Sequence, residues 1–504
     1  MPARFSSNSW IVSPVTTIRE NTAVLPWHTA RSSLHTLRAV VIVVGLCWSL
    51  AFVVVALEYE LQLYGDGAMF SYAVAAQDVW AFHWHNISGR LTVFVLSLWP
   101  AELFADMTGS PWDGVATYGF LFYVAPLIGL LATFTADRSR GRVIFSFACF
   151  STALLCPLVF GFPTEIWMAH AIFWPTLAVT HYARRTVAGT ALVFLMLLAL
   201  VFTHEGALVL AATIIATSAL RGTRDISFRR AAGALLAVLM VWGTVKITIR
   251  PGDYFAGVFV TAAMHFFDPA NLEVNIVFLM GAALAGYSLA FAILSRLVPD
   301  KAHLWAAAVV AAILAIYWLG FDHAILADHR YYMRTVLVIV TPALGVLAAF
   351  YAVRADGLIP RVPRLLPTIA VPVNGIAVEA LAGAFLLVTL VYAVETGQFV
   401  SAWTDYKVAV KALAMGTASD PSLGDPHFVS SDRIDEDLNR LSWFSTTQYL
   451  SVIVANFTPN RLVVDPANAY FWLSCDTATK NSTAERTIPS ATRNLVRIYS
   501  CLHR

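Results

Sequence analysis

Long apolar blocks separated by short polar connections dominate this chain, and each block is long enough to cross a bilayer as a helix. The blocks run over about 39 to 55, 114 to 133, 143 to 161, 166 to 180, 188 to 203, 206 to 220, 231 to 248, 275 to 295, 303 to 320, 334 to 353 and 376 to 395. Basic residues recur at every second connection. Arg138, Arg140 and Arg142 mark one, Arg184 and Arg185 the next, and Arg221, Arg224, Arg229 and Arg230 a third. Arg296 with Lys301 and then Arg354, Arg361 and Arg364 complete the series. Arg31, His35 and Arg38 abut the first block. The positive-inside rule places all of these in the cytoplasm, with polar residues 1–38 as a tail before a start-transfer anchor and no cleavable signal peptide. The other connections, and everything after residue 395, are then exported.

One further block, 91 to 107, breaks the alternation, because parity lets only one of it and 114 to 133 cross. It holds Pro100 and Glu102 and is barely long enough. The expectation is an interfacial or re-entrant helix inside an exported loop of residues 59–113, with eleven spans in all. If both blocks cross, the count is twelve and one basic connection lies on the wrong side.

Composition agrees with this pattern: 58% of the 504 residues are hydrophobic and only 13% charged, which excludes an ordinary soluble domain. The net charge of +2 is spread through short loops and forms no nucleic-acid-binding face. From Thr396 onward the apolar blocks cease. An amphipathic stretch from Phe399 to Ala414, a Ser/Asp/Pro/Gly-rich loop and short strand candidates at His427 to Val429, Arg461 to Val464 and Tyr470 to Leu473 follow. The fold expected is an all-α polytopic membrane protein with a small mixed α/β extracytoplasmic domain over residues 396–504.

On this topology the polar side chains collect on one face. The first exported loop carries Asp66 between two glycines, in Leu63-Tyr64-Gly65-Asp66-Gly67-Ala68, and also Arg90. The exported hairpin tips carry Glu165, then His204 and Glu205, then Asp322, His323, Asp328, His329, Arg330, Tyr331 and Arg334. The longer exported loop adds Lys246, Arg250, Asp253, His265 and Asp268. Ionisable groups so near lipid are costly unless they pair or face a cavity, and a polar cavity open to the exported face is the simplest arrangement. The plain alternatives are that Asp66 forms a turn, that span-end charges are solvated anchors, and that Arg330 and Arg334 pair with Asp322 or Asp328. Arg330 and Arg334, four apart on a helix, also suit a phosphate, with Lys246, Arg250 and Arg90 as further cations.

Other chemistry leaves weaker marks. His323 and His329 with Asp322 and Asp328 match no closed zinc pattern, while a divalent cation bridging a carboxylate and a substrate phosphate fits these residue types. Walker loops, dinucleotide-binding glycine patterns and Gly-x-Ser-x-Gly elbows are absent from the sequence. Cys475 and Cys501 are the two cysteines of the exported tail and can form a disulfide there.

An acidic residue in the first exported loop, a following interfacial helix, about eleven spans with short inner loops and an exported carboxyl-terminal unit resemble the GT-C superfamily of membrane glycosyltransferases. The resemblance covers the architecture of the whole chain, and its sequence-specific part is one short motif. It implies a polyprenyl-phosphate-linked sugar as donor, a lipid, glycan or protein as acceptor, and Asp66 as the general base that activates the acceptor hydroxyl. It further implies a second acid in a later exported loop, a role open to Glu165 or Glu205, with His204 beside them. The commoner family pattern has two acids adjacent or one apart, whereas Asp66 is followed by Gly67 and Ala68, so no metal requirement carries over. Glu58 and Glu60 are one apart but close the first span, where an anchor role serves equally. A bacterial inner membrane is the expected location. The rival from another class is a transporter or flippase of a lipid-linked or anionic substrate, which would leave broken midplane helices or internal repeats. An enzyme of the O-antigen ligase or polymerase type would place its large exported piece between spans instead.

Overall fold

A computed structural model describes residues 27–75, 77, 79, 90–155, 164–248, 275–320, 330–357, 375–417, 428–442 and 446–464; within these, the side chains of 27–34, 275–280, 300, 330–336 and 375–380 fall outside the described set. The described residues are helical almost throughout. Helix α1 covers Trp27–Glu58, α2 Asp66–Ala75, α3 Leu91–Thr108, α4 Pro111–Ala136, α5 Val143–Leu155 and α6 Glu165–Tyr182. Then follow α7 Val187–Val201, α8 Ala207–Ser218, α9 Ile226–Thr248, α10 Asn275–Leu297, α11 Ala302–Gly320, α12 Arg330–Ala355 and α13 Gly375–Met415. Seven described helices are long and apolar enough to cross a membrane. They include α3, the stretch expected to be interfacial or re-entrant, so length does not bar it from crossing. It contains a π-helical turn, Phe94–Leu98, ahead of Pro100, which absorbs the proline without ending the helix.

Helix α6 is the hub. Nearly all of its side chains are buried, the signature of a helix enclosed by others, and it packs against α4, α7, α8 and α12. Its contact with α4 depends on Gly129: a Cβ there would lie 2.4 Å from the carbonyl oxygen of Ala171, so the two backbones touch. Phe52 of α1, Tyr123 of α4 and Trp167 of α6 fill the core near the amino end of α6, with ring centroids 5.1 to 5.9 Å apart.

The two ends of α6 belong to two polar faces, separated by roughly the 27 Å length of an 18-residue helix. At its carboxyl end the basic connections meet. Tyr182 donates to Asp356 at 2.6 Å, and the same carboxylate accepts from the Arg140 N–H at 2.9 Å. Arg221 donates to the His181 carbonyl, Arg230 to that of Arg184, and Arg185 pairs with Asp225. Connections that the charge pattern assigned to one side of the bilayer thus converge on one end of the bundle. The tips that carry Glu165 and His204-Glu205 meet at the other.

The last long helix does not stop near residue 395. Helix α13 continues through the amphipathic stretch to Met415, followed by two short parallel strands, Phe428–Ser430 and Leu462–Val464, paired in register, and the helix Thr447–Val454. The latter packs on α2 and α13, with Tyr449 against Tyr72. Residues 470–473 lie outside the described set.

Replacing Gly129 with Ala forces α4 and α6 apart, at a cost of about 1–3 kcal/mol. Gly243 of α9 has open space at its Cβ position, and Gly243→Ala is neutral or stabilising by up to about 1 kcal/mol. Thermal unfolding in detergent reads both; equal midpoints for the two variants would contradict this packing.

Candidate functional site

Arg90 stands immediately before α3, and the backbone around it is fixed by α7. The Thr92 N–H donates to the Phe202 carbonyl at 3.1 Å and the Thr92 hydroxyl to that of Ala199 at 2.7 Å. This docking carries Arg90 to the tip of the α7–α8 hairpin. There its guanidinium donates through Nη2 and Nε to Glu205 Oε2, at 2.9 and 3.2 Å. Its Nη1 lies 2.9 Å from Glu165 Oε1. Lys246, in the last turn of α9, holds the other Glu205 oxygen at 2.9 Å. Two cations and two carboxylates from four segments therefore form one mostly buried, charge-neutral quartet.

Local structure explains each position. Glu165 is the first residue of α6, where the unpaired N–H groups of a helix start favour a carboxylate, and it is only 1% exposed. Glu205 lies between α7 and α8, next to His204, whose Nδ1 accepts from the Gly206 N–H at 2.9 Å. Burial alone would raise the Glu205 carboxyl, but Arg90, His204 and Lys246 outweigh it and hold the group at about 2. Burial likewise disfavours the charged Arg90, yet Glu165 and Glu205 reverse the balance and push its guanidinium above its ordinary value.

Asp66 is the first residue of α2, not the middle of a loop. A 3-10 turn over Leu61–Leu63 and Gly65 at φ 58 reverse the chain between α1 and α2. The C-terminal half of α13 clamps that reversal. Tyr64 packs edge-on against Phe399 and Trp403, the Trp403 Nε1 donates to the Tyr59 carbonyl at 3.1 Å, and Lys407 pairs with Glu60 at 2.6 Å. Glu60 is thus an anchoring residue of this turn, whereas Glu58 is exposed.

Tyr118 of α4 links the two groups of acids. Its hydroxyl is within electrostatic range of both Glu165 and Asp66. The residue is 0% exposed, and the hydroxyl has no hydrogen-bond partner among the described residues. No sequence signal singles it out, because a tyrosine in an apolar block reads as core or as an interfacial anchor.

Of the residues singled out from sequence, Arg90, Glu165, His204, Glu205 and Lys246 come together, and Asp66 lies within electrostatic range of the same Tyr118 as Glu165. Arg90 and Lys246, expected as phosphate ligands, are each engaged by carboxylates. Arg330, Tyr331 and Arg334 lie at the start of α12 with side chains outside the described set. Four residues after Arg334, Val338 meets Gly206, where a Cβ would be 2.9 Å away, so the start of α12 continues past the tip that carries Glu205. Arg250, Asp322, His323, Asp328, His329, Cys475 and Cys501 lie outside the described residues. Among the described residues no three His, Cys, Asp or Glu side chains group at metal-binding distance. No protein-family model matches the chain, and no curated protein matches it significantly.

Because the folded state holds Glu205 below its ordinary 4.5, at about 2, it contributes stability that is complete above about pH 4.5 and lost as pH falls toward 2. Glu205→Gln removes this part of the acid limb and leaves Arg90 and Lys246 under-compensated at neutral pH. Thermal midpoints measured from pH 7 to pH 2.5 are expected to fall less steeply in the variant; parallel curves would show that Glu205 is not held by these cations.

Proposed function

We propose that the chain is an eleven-span membrane glycosyltransferase that moves a sugar from a polyprenyl-phosphate donor to a lipid, glycan or protein acceptor at the extracytoplasmic face of a bacterial inner membrane. The observation that supports this most is the gathering of Asp66, Tyr118, Glu165, Arg90, Glu205 and Lys246, from separate segments, at the bundle end opposite the arginine connections. Buried charge in an apolar bundle adds little to stability compared with well-packed apolar side chains. In membrane proteins such groups mark sites of function.

The chemistry asks little of the protein beyond a base and positive charge. The Asp66 carboxylate takes the proton of an acceptor hydroxyl as its oxygen bonds to the anomeric carbon. The bond from that carbon to the phosphate oxygen breaks, its electron pair leaves with the polyprenyl phosphate, and the anomeric centre inverts. The quartet is already neutral, so the departing phosphate draws on charge beyond it, for which Arg330 and Arg334 at the start of α12 are the candidates. Arg90 acts as an organiser that fixes Glu165 and Glu205. A lipid-phosphate donor needs no soluble nucleotide site, and the sequence carries no Walker loop or dinucleotide-binding glycine pattern.

Asp66→Asn preserves shape and removes the base. In proteoliposomes supplied with a polyprenyl-phosphate hexose, transfer is expected to fall about 10²–10⁴-fold with an unchanged thermal midpoint. Transfer at the parental rate would remove Asp66 from the mechanism, and movement of the lipid-linked sugar across the bilayer without transfer would replace the enzyme with a transporter.

A further inference from the structure

Tyr118 occupies a place where a phenylalanine would pack as well and cost less. Its ring is enclosed by Phe70 and Phe122, with centroids 6.1 and 5.8 Å away, and the residue is fully buried. Only the hydroxyl separates it from a core aromatic, and that hydroxyl is unpartnered among the described residues. A buried hydroxyl without a partner forfeits its hydration for nothing in return. Next to it in the chain, Gly119 brings α4 onto the turn before Asp66: a Cβ there would be 2.8 Å from Gln62. The Gln62 carboxamide oxygen is also buried without a partner among the described residues. Two unsatisfied polar groups thus lie where α4 packs on the turn that leads into α2.

We propose that Tyr118 is a substrate-binding residue whose hydroxyl hydrogen-bonds to an uncharged hydroxyl of the acceptor, holding that group between Asp66 and Glu165. This deepens the glycosyltransferase reading and rests on it for the word acceptor. The charges decide which ligand group fits. A phosphate oxygen could accept from Tyr118 but has no hydrogen to donate to the Asp66 carboxylate. An ammonium would suit the carboxylates but has no lone pair to accept the Tyr118 proton. A neutral hydroxyl does both: it accepts from Tyr118 and donates to Asp66. The acceptor therefore enters on the α2–α4 side, and the donor phosphate lies on the side of α12.

The test uses the full-length protein in lipid nanodiscs, with Tyr118→Phe and Asp66→Asn as variants and a panel of neutral methyl glycosides, with their amino-sugar counterparts, as probes. At least one neutral glycoside is expected to bind the parent, and Tyr118→Phe is expected to weaken it 10-fold or more. Amino-sugar binding should be insensitive to Tyr118→Phe. The ligand-free thermal midpoint of Tyr118→Phe should equal or exceed that of the parent, since an unpaired buried hydroxyl has been removed. A lower midpoint would make Tyr118 structural, and equal neutral-glycoside affinity in parent and variant, or no glycoside binding to the parent, would overturn the proposal. Sugar transfer from a polyprenyl-phosphate hexose is read in parallel. Tyr118-dependent binding without transfer would sink the transferase reading and keep the binding site, and transfer with Tyr118-independent binding would do the reverse.

Discussion

One guanidinium ties together the bundle end opposite the arginine connections. Arg90 contacts Glu165 at the start of α6 and Glu205 at the tip between α7 and α8. Taking these charges out of water costs several kcal/mol per ion, and mutual attraction repays that only when the geometry is good. Here the geometry is good: three donor atoms of Arg90 are engaged, and Lys246 takes the remaining Glu205 oxygen. The outcome is rigidity at a chosen spot. Without Arg90, two carboxylates would be left near each other in a site with little water, and the hairpin tip would have to move out.

Asp66 is held independently, from the other side. Asp66 follows a turn that Tyr64, Trp403 and Lys407 fix to the far half of α13. The continuation of α13 to Met415 is the wall against which the turn between α1 and α2 is built. The two constructions come within electrostatic range of each other at Tyr118, on a helix brought close by Gly119, which makes α4 a partition between them.

Much of this was legible in the sequence, for physical reasons that can be named. Arginines recurring in alternate connections grouped those connections, and the structure joins several of them through Asp356, Arg221 and Arg230 at one end of α6. Ionisable residues interrupting apolar blocks pointed to a polar cluster, and Glu165, Glu205, Arg90 and Lys246 form one. Pairing itself was not legible, since a charge at a span end looks alike whether it meets lipid headgroups or another helix. Tyr118 was hidden because its ring satisfies the apolar pattern and only its environment reveals the orphaned hydroxyl. The length of α3 and the continuity of α13 were obscured by Pro100, which a π-turn absorbs, and by an amphipathic stretch that continues a helix as readily as it begins a domain.

We propose that the buried quartet is retained for chemistry, since well-packed apolar side chains would serve the bundle's stability as well, and one variant tests this. Arg90→Met, Lys246→Met, Glu165→Leu and Glu205→Leu made together replace every charge of the quartet with an apolar side chain of similar length. Sugar transfer from a polyprenyl-phosphate donor, measured alongside the thermal midpoint, is predicted to vanish while the midpoint holds or rises. Parental transfer rates in that variant would contradict the account.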